Sequence, residues 1–167
     1  MKKVIYSLSF FLLFSLTTIF AQEKLKGNKE VTTEIRNISD FSKIEVIDNV
    51  EVLLVYNPNQ SIEIETDSNL HEAILTELNN DVLTIKTSDK ITRKKKLLIT
   101  VKVNHNLTSL SSYNNSKISS KNLLQIDSLQ ITAFDNSDID LKLHTEYIHI
   151  TGKKNSDLNF EIGRAHV

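Results

Sequence analysis

Apolar and polar residues alternate through most of residues 43–103, and this alternation predicts strands. "KIEVIDNVEVLLVY" (43–56) is rich in β-branched residues, with Val50, Val52 and Leu54 at period two. "NPNQ" (57–60) reads as a turn: Pro58 fixes one dihedral, while Asn57 and Asn59 tolerate tight geometry. "SIEIET" then puts Ile62 and Ile64 on one face and Glu63 and Glu65 on the other, which predicts a hairpin with the preceding stretch. "VLTIKT" and "KLLITVKV" continue the pattern, and Leu97, Ile99, Val101 and Val103 alternate without a break. One segment changes period. In "DSNLHEAILTEL" (67–78), Leu70, Ile74 and Leu78 fall four apart, and Ala73 and Leu75 broaden the stripe, predicting a short α-helix. Asp67 or Ser68 would cap it and "NND" would end it.

Beyond Val103 the pattern repeats. Asn-Ser occurs as Asn115-Ser116, Asn136-Ser137 and Asn155-Ser156, with the serines 21 and 19 residues apart. An aliphatic residue follows two places after each serine (Ile118, Ile139, Leu158), and another lies six places before it (Leu110, Ile131, Ile150). Leu129, and Tyr147 with Ile148, add apolar side chains to the later units. A unit of about 20 residues is too small to bury its own apolar side, so such units stack. The expectation is an all-β solenoid from about residue 104, its aliphatic residues in an inner column and its Asn-Ser pairs at the bends. Equivalent asparagines in adjacent layers would then bond to one another as a ladder.

The first residues have a different purpose. Lys2 and Lys3 precede the apolar run Val4–Phe20, and the small Ala21 comes before polar "QEKLKGNKE", the order of a secretory leader cleaved between Ala21 and Gln22. The run is short for a membrane span of about 20 residues, so no stable span is expected after cleavage. There is no cysteine, which excludes a disulfide framework, a thiolate metal site and a lipid-modified cysteine at the cleavage point. Loss of Lys2 and Lys3 takes a balance of 20 basic against 21 acidic residues to a net charge of about −3. A chain so charged has no overall electrostatic grip on nucleic acid. "RKKK" (93–96) reads as a solvated loop whose charges discourage edge pairing.

The phrase "ISDFSKIEVIDNVEVLLVY", through Phe41, Ile44, Val46, Val50 and Val52, resembles the opening of the bacterial family called putative auto-transporter adhesin, head GIN domain. "SIEIETDSNLHEAILTELNNDVLTIKT" is similar to that family's next section. The family's Ser-Gly-Ala-Ser-Asp-Ile repeat is matched by "FDNSDI" and "KKNSDL" at Ser-Asp-Ile/Leu, and by "YNNSKI" at the serine and isoleucine. Asparagine replaces Gly-Ala, so the bends are less permissive than glycine would make them. The resemblance covers roughly residues 30–162. It implies a right-handed β-helix-like fold, export from a Bacteroidetes-type bacterium and an adhesin-like role. The organisation expected is a signal peptide at 1–21, a polar linker at 22–29, a β domain at 30–162 lacking some of the family's repeats, and a non-native tail at 163–167.

No catalytic, cofactor-binding or metal site is expected. His71, His105, His144, His149 and His166 include no His-x-x-x-His or His-Glu-x-x-His spacing. No Gly-x-Ser-x-Gly elbow occurs, and three glycines are too few for a phosphate-cradling loop. Asp135, Asp138 and Asp140 lack the glycine pattern of calcium-binding β-rolls. The reading is an exported, non-catalytic envelope or surface protein that uses no cofactor. It would sit in the periplasm, at the outer-membrane surface or outside the cell, and meet an unidentified partner such as an extracellular glycan or protein surface. A polysaccharide-active enzyme and a purely structural envelope component are the alternatives.

Overall fold

The computed structural model describes residues 24–38 and 40–163. The proposed cleavage pair Ala21–Gln22, His166 and residues 164–167 lie outside these. Period-two segments become short strands in chain order. The first seven elements are β1 (Lys24–Lys26), β2 (Val31–Arg36), β3 (Lys43–Ile47), β4 (Glu51–Tyr56), β5 (Ser61–Asp67), a 3-10 helix (Ser68–Ala73) and β6 (Ile74–Asn79). Then come β7 (Val82–Thr87), β8 (Lys90–Arg93), β9 (Leu97–Val103), β10 (Ser109–Tyr113), β11 (Lys117–Ser120) and β12 (Leu124–Gln125). The last four are β13 (Ser128–Ala133), β14 (Asp138–His144), β15 (Tyr147–Gly152) and β16 (Asp157–Ile162).

Two sheets face each other across one core. The first runs β15-β13-β10-β3-β7-β6; the second runs β12-β14-β11-β4-β9-β5-β2, with β16 on the far side of β14. Four arches, β3–β4, β10–β11, β13–β14 and β15–β16, each cross from the first sheet to the second, and successive arches pair in parallel. Identical registers line up aliphatic columns. Leu83, Ile44, Leu110, Ile131 and Ile150 follow one another across the first sheet. Ile99, Val52, Ile118, Ile139 and Leu158 do so across the second. All are buried except Ile150 and Leu158 in the outermost arch. Full burial of each such side chain contributes about 1.5–3 kcal/mol.

The architecture is all-β, but it is not the right-handed β-helix or solenoid expected from the resemblance and the repeat. A solenoid would lay each new layer on the one before it. Here the first arch in sequence is interior: β3 sits between β7 and β10, and β4 between β9 and β11. The far ends of the sheets are also antiparallel, through β5 with β9, β2 with β5 and β6 with β7, giving two β-sandwich-like sheets. A repeat determines which side chains face inward and which positions become neighbours. It does not determine the order in which the chain visits the layers.

Two local expectations change as well. The predicted α-helix at 67–78 is a single 3-10 helix, Ser68–Ala73, followed by strand β6. Ile74, Thr76 and Leu78 also satisfy period two, and pairing with β7 through the turn at Asn80 (φ 57°) decides in favour of the strand. Asp67 makes no side-chain cap; its carboxylate accepts the backbone N–H of Lys95. The hairpin predicted across "NPNQ" does not form, because β9 inserts between β4 and β5.

Candidate functional site

The Asn-Ser pairs stand at the arch turns. Asn114-Asn115, Asp135-Asn136 and Lys154-Asn155 all have positive φ, between 55° and 60°, and Ser116, Ser137 and Ser156 follow directly. The three serines occupy equivalent places in neighbouring layers, where Asp138 N–H donates to Ser116 O and Asp157 N–H to Ser137 O. The turns stack by the same means: Asn49 N–H bonds Asn114 O, Asn115 N–H bonds Asp135 O and Asn136 N–H bonds Lys154 O, each at 3.0 Å. Side-chain ladder bonds are sparser. Asn155 Nδ2 reaches Asn136 Oδ1 at 3.4 Å, and Asn114 Nδ2 reaches Asp48 Oδ1 at 3.0 Å.

The serine hydroxyls point inward. Ser116 Oγ donates to Val46 O at 2.9 Å, accepts Tyr113 N–H at 2.9 Å and contacts Ser112 Oγ at 2.7 Å. Ser137 Oγ donates to Ser112 O at 2.8 Å. Ser112, Ser116 and Ser137 are buried, whereas Ser156 in the outermost arch is half-buried. Just before each turn, Tyr113 stacks on Phe134 with centroids 5.9 Å apart, and Lys153 Nζ lies 5.7 Å from the Phe134 centroid.

One polar cluster has a catalytic outline. On β2, Thr32, Glu34 and Arg36 alternate onto one face: Thr32 Oγ1 lies 2.9 Å from His71 Nε2, and His71 Nδ1 lies 3.2 Å from Glu34 Oε2. A hydroxyl–imidazole–carboxylate relay needs the second contact to be an aligned hydrogen bond. It is not aligned here, and His71 Nδ1 is buried without a hydrogen-bond partner. Glu34 is instead committed to Arg36, whose Nε donates to it at 2.7 Å while the rest of the guanidinium holds Ile74 O, Thr76 Oγ1 and His71 O. The Arg36 hydrogen bond, opposed by burial and aided by the charges of Arg36 and His71, holds the Glu34 carboxyl below its ordinary range. The cluster braces β2 against the 3-10 helix and β6.

His105 and His144 line a 240 Å³ cavity with Asp127 and Glu146, and His149 lies on β15. Among the described residues, no three His, Asp or Glu side chains come together as metal ligands. Asp135 is paired with Lys154 at 3.0 Å, and Asp140 accepts Asn159 Nδ2 at 3.4 Å.

Residues 40–166 match the family described as putative auto-transporter adhesin, head GIN domain. The chain belongs to this family. No curated protein matches it. Solved structures share the fold. A putative adhesin from Parabacteroides merdae is 23% identical, with a TM-score of 0.69 over 84% of this chain and 59% of that one. A putative adhesin from Bacteroides fragilis is 18% identical, with a TM-score of 0.71 over 80% of this chain and 63% of the other. A putative lipid binding protein from Parabacteroides distasonis is 15% identical, with a TM-score of 0.67 over 84% and 63%. The chain thus spans about three fifths of the length of these three.

This head GIN domain also holds an arch turn that the Asn-Ser motif alone misses. Asp48 and Asn49 have φ of 65° and 58°, and Val50 takes the place of the serine. The signal was present in the spacing: Ile44 lies six residues before Val50 and Val52 two after, as in the three Asn-Ser units. The residue four places before each corner varies with it, giving Val46 with Val50, Ser112 with Ser116, Ala133 with Ser137 and Gly152 with Ser156. A Cβ on Gly152 would stand 3.0 Å from Ser156 Oγ, so that pair is already tight.

Proposed function

We propose that this head GIN chain is an exported, non-catalytic protein that works by binding at a bacterial surface, with its Asn-Ser corners as structural joints. The observation that carries the reading is the commitment of its polar groups. The buried corner hydroxyls are hydrogen-bonded to carbonyls of adjacent arches, and the best catalytic outline, Thr32–His71–Glu34, is tied into Arg36. Adhesin-like relatives of the same fold support it. Among the described residues no helix is long and apolar enough to cross a membrane.

The test uses the chain from Gln22 onward, screened against a glycan array and a panel of host-matrix proteins, and displayed on cells in an adhesion assay. Saturable binding and increased cell retention are the expected results. Release of new reducing ends from any polysaccharide in a turnover panel would overturn the non-catalytic reading. Absence of all binding, together with an envelope defect on deletion, would favour a structural component instead.

A further inference from the structure

The two ends of the paired sheets differ. At the β2 and β6 end the 3-10 helix buries Leu70 and Ala73, and Arg36 ties β2 across to Ile74 O and His71 O. At the other end, among the described residues, no strand lies beyond β15 or β16. Lys153 N–H donates to Ala133 O at 3.0 Å. Alternate residues of a strand bond to opposite sides, so His149, Thr151 and Lys153 turn their backbone groups toward β13, and Ile148, Ile150 and Gly152 turn theirs outward. On β16, Asp157 N–H and Gly163 N–H donate to Ser137 O and Leu143 O, which leaves Leu158, Phe160 and Ile162 turned outward. The side chains of these outward-turned residues lie on the core side, where Ile150 and Ile162 are exposed and Ile148, Leu158 and Phe160 only half-buried. A 420 Å³ cavity bordered by Gly152, Ser156 and Leu158 opens at the same end.

This edge complements itself. A two-fold axis along the strands, midway between the sheets, sets β15 of one copy antiparallel to β16 of a second, and repeats the contact on the other sheet. Aligning the outward-turned residues puts Gly152 opposite the second copy's Leu158, Ile150 opposite its Phe160 and Ile148 opposite its Ile162. Such directly opposed residues exchange both N–H···O bonds, about six for each strand contact. The same register sets Lys153 opposite Asp157, Thr151 opposite Asn159 and His149 opposite Glu161 on the outer face. From Tyr147 to Lys154 the chain carries basic residues and no acid, and from Asp157 to Ile162 acids and no base. A shift of two residues would keep the backbone match but lose both charge pairs. Glu161 already lies 3.5 Å from Lys142 yet stays largely exposed, and Lys154, near the axis, is held back by Asp135 at 3.0 Å.

We infer that the β15–β16 edge is a self-association surface, on which a second copy of this chain docks by antiparallel pairing of β15 with β16 to form a closed dimer. Pairing of this kind covers Ile150 and Ile162 and joins the aliphatic columns of two cores. It also occupies two strand edges that otherwise template open-ended assembly. Head-to-tail stacking fits less well, because the 3-10 helix and Arg36 close the end that would receive the edge. Strands of six residues make a contact at the small end of specific dimers, so the association belongs in the micromolar range. The dimer is independent of what the chain binds at a bacterial surface.

Sedimentation velocity of the chain from Gln22, over about 1–200 μM, should show a single monomer–dimer equilibrium. Ile150→Lys should raise the dimer dissociation constant about tenfold or more. Ile35→Lys makes the same charge change at a still more exposed aliphatic residue on β2, and it should move that constant by less than about twofold. The register is read by crosslinking, since the chain has no cysteine of its own. An oxidised mixture of Thr151→Cys and Asn159→Cys chains should form a disulfide-linked pair faster than either variant alone. Non-hydrogen-bonded antiparallel partners lie about 4.5 Å apart at Cα, within disulfide reach. Unfolding midpoints verify each fold, and the crosslink decides alone if Ile150→Lys does not fold. Equal loss in Ile35→Lys, assembly growing past the dimer, or a mixture that crosslinks no faster than its components would overturn the inference. A chain monomeric at every concentration would overturn it too, and would leave the edge to a strand from a different protein.

Discussion

Ser116 and Ser137 occupy equivalent corners, yet replacing each by alanine should have unequal effects. Ser137 Oγ makes one buried bond, to Ser112 O, and that carbonyl keeps the N–H of Phe134 at 3.0 Å when the hydroxyl is removed. The loss is then that of one neutral hydrogen bond, about 1 kcal/mol. Ser116 Oγ joins three groups: Val46 O, Tyr113 N–H and Ser112 Oγ. Its removal breaks all three contacts and leaves Ser112 Oγ only its 3.2 Å contact with Ser116 O, so the loss should be about 2–4 kcal/mol. The double variant Ser112→Ala/Ser116→Ala removes both hydroxyls and should be no worse than Ser116→Ala alone, because the first arch already has Val46 and Val50 at these positions. Urea unfolding followed by circular dichroism measures all four proteins, with unchanged m-values showing that only stability moved. Equal losses at Ser116 and Ser137, or a double variant less stable than Ser116→Ala alone, would refute the account of the corner.

Three further outcomes follow from the same geometry. Ile118→Ala, at a fully buried position in the middle of a column, should destabilise by about 2–5 kcal/mol, and Ile150→Ala by less than half as much because that side chain is 40% exposed in the outermost arch; chemical denaturation ranks the pair. At Asn136, with φ of 59°, Asn136→Gly should unfold at higher urea than Asn136→Ala by about 1 kcal/mol. Glu34 titrates below its ordinary value of 4.5, so its contribution is complete above that pH and is lost as the pH falls through the lower folded value. Glu34→Gln should remove that part of the acid dependence, and an unchanged stability profile below about pH 4.5 would contradict the Arg36 bond as its cause; the effect is small because the side chain is 42% exposed.

Much of the core was legible because burial and period two are the same fact for a half-buried strand. Ile62 and Ile64, or Ile99, Val101 and Val103, could hardly face anything but a shared interior. The repeat spacing likewise brought Ile118, Ile139 and Leu158 into one row. The layer order was not legible, because β3 gains its neighbours β7 and β10 from pairings between distant segments. Nothing in "KIEVI" distinguishes an end strand from an interior one. The 67–78 segment was ambiguous for a physical reason: Leu70, Ile74 and Leu78 fit a helix, while Ile74, Thr76 and Leu78 fit a strand. A turn at Asn80 and a partner in β7 resolved it. The pairing of β1 with β8 was hidden for a related reason. "RKKK" is a solvated run until β1 is laid beside β8, and no local pattern announces that pairing.

The corners show how local strain and long-range order depend on each other. Each of the four arches places two consecutive residues at positive φ, and none of the eight is glycine. Asparagine holds the second position every time, while the first varies among Asp48, Asn114, Asp135 and Lys154. A left-handed residue with a side chain costs roughly 1–2 kcal/mol, less for asparagine or aspartate, whose short polar side chains bond locally. In an isolated arch that cost would favour opening the turn. In the stack, the second residue's N–H bonds the carbonyl of the next turn, from Asn49 to Asn114, Asn115 to Asp135 and Asn136 to Lys154. The strain is therefore tolerated only when the neighbouring arch is present. The arches should accordingly form and melt together, as one cooperative unit tied through these turns and the aliphatic columns beneath them.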